Sequence, residues 1–127
     1  MEKLELMKFT RFWFPVILYS GIIFCVSSVP NVVIPLAEAQ FDKVLHILGY
    51  APFGFLVARG LGGTRPSISS KNLWMLTALA AFLYGISDEY HQSFVTGRGS
   101  GVFDIIGDTI GGVLGGYIYL LRRRKIK

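Results

Sequence analysis

At 127 residues, 52% hydrophobic and only 17% charged, the chain has room for one domain and too little charge to cover a water-soluble core of that size. Its net charge of +5 raises the question of nucleic acid, and the placement of the charge argues against it. Lys3, Lys8 and Arg11 open the chain and Arg122, Arg123, Arg124, Lys125 and Lys127 close it, flanking apolar runs as membrane-topology signals do, whereas a nucleic-acid binder interleaves basic residues with aromatics along one face.

The first apolar stretch predicts a span over residues 12–29, with no charged residue between Arg11 and Glu38. It follows basic residues, as in a signal peptide. The nearest small-x-small triplet, Ala37-Glu38-Ala39, lies too far beyond it for ordinary cleavage, so it is read as a retained helix. Cys25 sits within it and, as the one cysteine, makes no internal disulfide and reads as a small hydrophobe. Pro30 and Pro35 mark the loop that follows. A second span is expected over 43–61, ended by Gly60-Leu61-Gly62-Gly63 and Pro66. A third is expected over 72–91 and a fourth over 102–121. Helices of this length cross roughly 27–30 Å, the thickness of a bilayer core. Pro15 and Pro52 fall inside spans, where they are expected to kink a helix as packing features.

Short connections make neighbouring helices antiparallel. Of the 13 Lys and Arg residues, the two termini and the loop with Arg59, Arg65 and Lys71 hold all but Lys43 and Arg98. By the positive-inside rule both termini are cytoplasmic. The expected fold is therefore all-α, a polytopic transmembrane four-helix bundle forming one domain over 1–127. The acids distribute oppositely. Glu38, Asp42, Asp88, Glu89, Asp104 and Asp108 fall on the outer side, with Glu2 and Glu5 on the inner.

Three polar groups mark the outer ends of spans, where charged side chains face a bundle interior or a wet cavity. In Asp42-Lys43-x-x-His46-x-x-x-Tyr50, helical periodicity puts Asp42, His46 and Tyr50 on one stripe. A carboxylate one turn from an imidazole fixes its tautomer, as a general base or metal ligand requires; equally, Asp42 caps the helix while His46 bonds a neighbouring helix. In Asp88-Glu89-Tyr90-His91-Gln92, adjacent acids cannot share a direction. One is expected in a site, and Glu89 reads equally well as interfacial charge. The third group is Gly97-Arg98-Gly99-Ser100-Gly101, followed by Asp104 and Asp108 on one stripe with Gly111 and Gly115. Arg98 suits a phosphate or carboxylate held bidentately, or neutralises Asp88, Asp104 or Asp108. Gly111/Gly115 and Gly112/Gly116 are small-xxx-small pairs that predict close helix packing.

Taken in order, Asp42-Lys43-x-x-His46-x-x-x-Tyr50 with Phe53-Gly54, then Asp88-Glu89-x-His91-Gln92-x-Phe94-x-x-Gly97-Arg98, then Asp104-x-x-x-Asp108-x-x-Gly111-x-x-x-Gly115 resembles the VanZ-like family over about residues 40–117. These are small membrane proteins of the bacterial cytoplasmic membrane, named after one associated with teicoplanin resistance. Asp108 stands where many members carry Asn, and Thr96 where a Pro usually precedes the Gly-Arg.

The resemblance implies a cell-envelope role without naming a reaction, and three readings fit the residues. The first is a protein that binds or supports an envelope lipid or amphiphile at the outer membrane face. Its polar contacts would come from Tyr50, Glu89, His91, Gln92, Arg98 and Asp108. The second is an acid–base or metal-assisted enzyme acting on a lipid-linked envelope precursor, with Asp42, His46, Asp88 and Asp104 as its catalytic candidates. The third is a proton-coupled transporter, for which four spans require self-association. The expected partners are the bilayer, a lipid-linked precursor or an amphiphilic antibiotic, and a second copy of the chain. No cofactor is specified.

Overall fold

The computed structural model describes residues 1–30 and 39–126; the loop position Pro35 and the outer-side acid Glu38 lie outside them. The described residues form five helical segments and no strand: α1 (Glu2–Phe12), α2 (Phe14–Ser27), α3 (Ala39–Thr64), α4 (Ser70–Gln92) and α5 (Val102–Ile126). α1 and α2 meet at Trp13, which keeps right-handed helical angles, so they make one long rod and the bundle has four.

Helix ends differ from the sequence expectation for local reasons. The first rod starts at Glu2 rather than residue 12 because Glu2 and Glu5 occupy its first turn, where carboxylates favour the exposed N–H groups. Pro15 falls in the first turn of α2, a position that needs no N–H. The carbonyl it would have bonded, that of Arg11, accepts instead from the Arg59 guanidinium of α3 at 3.0 Å. α4 begins before residue 72 because the Ser69 hydroxyl accepts from the Asn72 N–H at 3.1 Å, an N-cap. α3 passes through Pro52 without ending. Beside the hydrogen bond that Pro52 lacks, the Tyr19 hydroxyl of α2 donates to the Gly49 carbonyl at 2.7 Å.

α5 is the hub, packed against α3 and α4, and the α1–α2 rod lies on the outside of α3. Its glycines make this possible. A Cβ at Gly111 would meet the Ile47 carbonyl, one at Gly115 the Ala51 carbonyl, and one at Gly112 the Ala81 side chain. Gly111 and Gly115 therefore face α3, while Gly112 and Gly116 face α4. Two small-xxx-small stripes a residue apart let one helix sit against two neighbours at once. At one end of the bundle Arg123 donates to the Pro66 and Ile68 carbonyls at 2.7 and 3.2 Å, tying α5 to the α3–α4 turn. Asp42, Asp88, Glu89, Asp104 and Asp108 gather at the opposite end.

Polarity runs inside-out. The interior of α4 and α5 is glycine, Ala81, Thr77, Asp88, Glu89, Gln92 and Asp108, with few large apolar residues. Their outer faces expose Trp74, Leu79, Leu83, Ile110, Leu114 and Ile118. Two stretches, Glu2–Ser27 and Asp42–Thr64, are long and apolar enough to cross a membrane. The polar residues that α4 and α5 turn inward lower their average below the same mark.

Candidate functional site

His46 is the centre of the acidic end. It projects from α3 one turn after Asp42 and opposite the start of α5, where Gly107 brings the two backbones close enough that a Cβ there would lie 3.3 Å from the His46 Cβ. Its Nδ1 lies 2.7 Å from Asp108 Oδ1. A carboxylate only accepts, so a proton sits on Nδ1 and Nε2 is the nitrogen outside this contact. Nε2 faces Asp42 Oδ2 at 3.8 Å, beyond hydrogen-bond distance. The residue that orients His46 is therefore Asp108 rather than Asp42. Asp108 itself is fully buried, wedged against Gly85 of α4, where a Cβ would lie 3.0 Å from Oδ2.

Asp88 takes a different position. It accepts from the Tyr50 hydroxyl at 3.1 Å and from the Gln92 amide at 3.3 Å, so these three form a buried network beside His46 rather than in contact with it. Gln92 also donates to Ser27 of α2 at 3.3 Å. Both members of the Asp88-Glu89 pair are buried, at 6% and 5% exposure. Glu89 turns toward the start of α5, where the Gly101 N–H donates to its Oε2 at 2.9 Å. It is an interior residue, and the interfacial-charge reading of it does not describe its position.

His91 points away from this centre. Its ring stacks on Phe24 with centroids 4.3 Å apart, and Nε2 lies 3.3 Å from the Ser28 hydroxyl. Arg98 neither meets an acid nor stands free. Its Nε and Nη2 donate to the Val29 and Val26 carbonyls at 3.0 and 2.9 Å, capping the open C-terminal carbonyls of α2. The glycine-rich loop is thereby strapped to the first rod, helped by Gly97 at φ 75, a left-handed turn that glycine adopts without strain.

A cavity of about 240 Å³ opens beside His46, lined by Asp42, Lys43, Gln92, Arg98, Gly99, Ser100, Gly101, Phe103 and Asp104. It holds both signs of charge. The Lys43 ammonium lies 4.9 Å over the Phe103 ring, while Asp42 and Asp104 flank it. Exposed Tyr90, Phe94 and Phe103 surround this end. Two clusters share His46 and bring one donor atom each within 4.8 Å of one another: Asp42, His46 and Asp104 beside the cavity, and the buried His46, Glu89 and Asp108.

Reading the spans for charge passed over the first one, yet α2 supplies Ser27 and Ser28 to Gln92 and His91, and Ser20 a carbonyl that accepts from Tyr84 at 2.6 Å. Two serines closing an otherwise apolar run were the available signal.

No curated protein and no solved structure matches the chain. A family match does exist, and it extends well beyond the polar motifs that drew attention to residues 40–117. It takes in the first rod and the basic end of α5. Over residues 4–123, nearly its whole length, the chain belongs to the VanZ/LLP1 family.

Proposed function

We propose that the chain is a multi-pass protein of the bacterial cytoplasmic membrane, with both termini inside, that binds the polar head of an envelope amphiphile at its outer face. The inside-out packing supports four crossings, although only two stretches qualify on composition. Lipid-facing leucines and isoleucines on α4 and α5 surround glycines and paired polar groups, the arrangement expected where lipid rather than water is the solvent. Apart from Lys43 and Arg98, which line the cavity, the basic residues collect at the opposite end, which supports the orientation.

The observation that carries the binding reading is the cavity at the acidic end. Its mixed charges suit a headgroup bearing both an anionic and a cationic or hydroxyl part. The rim of Tyr90, Phe94 and Phe103 suits the headgroup level of a bilayer, so an amphiphile could place its chain along the bundle and its head in the cavity. Lipids that copurify in a gentle detergent test this. Wild-type protein should retain a polar-headed species enriched over the bulk membrane, and Asp104→Asn or Lys43→Ala should lose it while remaining helical and monodisperse. Identical lipid profiles for all three, matching the bulk membrane, would count against the reading.

One observation favours a catalytic extension. The Asp108–His46 hydrogen bond leaves Nε2 on the side of Asp42 and the cavity, the geometry of a general base awaiting a proton. On that reading the bound head is a substrate, and Asp108→Asn should slow turnover while leaving the copurified lipid in place.

A further inference from the structure

The most telling feature of the acidic end is what its acids lack. Asp42, Asp88, Glu89, Asp104 and Asp108 come from three helices at one end of the bundle, yet none forms an ion pair with a lysine or arginine among the described residues. The two nearby cations are engaged elsewhere: Lys43 over the Phe103 ring and Arg98 on the carbonyls of α2. Among the described residues, the basic group that meets these acids is His46, at Asp108 and more distantly at Asp42. Beyond this, Glu89 Oε1 and Asp108 Oδ2 are buried with no hydrogen-bond partner among the described residues, on side chains 5% and 0% exposed. A buried carboxylate oxygen with no donor has lost its hydration without compensation, and two of them beside an imidazole call for a positive charge.

We propose that His46, Glu89 and Asp108 bind a divalent transition-metal cation, with zinc the best fit to one nitrogen and two carboxylate donors. Each of these residues offers a ligand atom within 4.8 Å of the others. Zinc binds His nitrogen and carboxylate oxygen at about 2.0–2.2 Å, so ligand atoms around a tetrahedral ion lie about 3.3 Å apart. If Asp108 Oδ1 is the ligand, its 2.7 Å separation from His46 Nδ1 must open by about 0.6 Å as the ion replaces their shared proton; the unpartnered Oδ2 is the other oxygen that the same carboxylate offers. The imidazole donor disfavours magnesium and calcium, which prefer all-oxygen sites. The Gly101 N–H on the other oxygen of Glu89 fixes that carboxylate as an outer-shell partner fixes a ligand. Asp42 and Asp104, lining the cavity and sharing His46 in the cluster beside it, give the ion a negatively charged way in.

The inference does not rest on headgroup binding, and its test is independent of lipid. Protein purified without a polyhistidine tag, stripped with chelator and returned to detergent buffer, is titrated with zinc chloride and then manganese chloride. Metal content is read by mass spectrometry and thermal stability by tryptophan fluorescence. Wild-type protein should bind about one zinc per chain with a rise in melting temperature, and magnesium at the same concentration should do neither. Glu89→Gln and Asp108→Asn should each weaken zinc binding at least tenfold. Asp88→Asn, which alters the neighbouring Tyr50–Gln92 network but none of the three ligands, should bind as wild type does, so a general loss of fold is distinguishable from loss of the site. Failure of the wild type to bind zinc or manganese stoichiometrically would overturn the proposal, since the unpartnered oxygens would then share a proton. Undiminished binding by both ligand variants would overturn it equally.

Discussion

Gly115→Ala should be among the most damaging single-methyl changes at the described glycines. Its Cβ would run into the Ala51 carbonyl and lie 2.7 Å from the Phe55 N. Both are backbone atoms of α3, so no side chain can swing aside. The helices must separate, and α5 would lose contact with α3 along the stripe that Gly111 begins. Overpacking of this kind costs about 1–3 kcal/mol, and the cost should stand at the upper end where two backbones touch. Gly49→Ala is the control, because nothing lies within 4 Å of a Cβ there and alanine favours a helix over glycine. Thermal unfolding in detergent, followed by circular dichroism, should show a large drop for the first and no drop for the second. Equal melting temperatures would mean that α3 and α5 do not approach as closely as described.

The second large effect is expected at the buried His46–Asp108 pair. Removing the imidazole with His46→Ala leaves a fully buried carboxylate with neither oxygen paired. Breaking a buried pair from one side typically costs about 3–5 kcal/mol. Asp108→Ala removes the acid and leaves a neutral imidazole, which the nearby Asp42 and the cavity can serve, so it should cost less. The double variant His46→Ala/Asp108→Ala should cost less than the sum of the two singles, with a coupling of about 1–3 kcal/mol. Unfolding monitored through Trp13 and Trp74 would provide the four corners of the cycle. Strict additivity would show that the 2.7 Å contact contributes nothing to stability.

Much of this architecture was legible in the residues because apolar length and charge placement are one-dimensional signals. The helices α3, α4 and α5 fall where the expected spans do, and the paired glycines announced the close contacts that α5 makes on two sides. The proposal of four crossings draws on the inside-out surface, since composition alone qualifies two stretches. Partner choice was less legible. Periodicity put Asp42 and His46 on one stripe, but a stripe shared within a helix does not decide which acid from another helix comes closer, and Asp108 does. Adjacent residues on a helix differ by about 100° in direction, which suggested that only one of Asp88 and Glu89 would face inward. α4 is enclosed widely enough at its end, by α2, α3 and the loop before α5, for both to be buried. Arg98 was read as an anion binder or a counter-ion because arginines usually serve those roles. What it caps is the end of a helix more than 65 residues away in the chain, and local spacing carries no trace of such a contact.

Accessibility of single cysteines from outside intact cells tests most directly whether the cavity opens on the outer face of the membrane. In a Cys25→Ser background, Ser100→Cys lies on the cavity wall, and Ser67→Cys lies in the exposed turn at the opposite end. A membrane-impermeant maleimide should modify Ser100→Cys in intact cells and Ser67→Cys only after the membrane is permeabilised. Labelling in the reverse order, or of both positions from the outside, would contradict the proposed crossing and the site built on it.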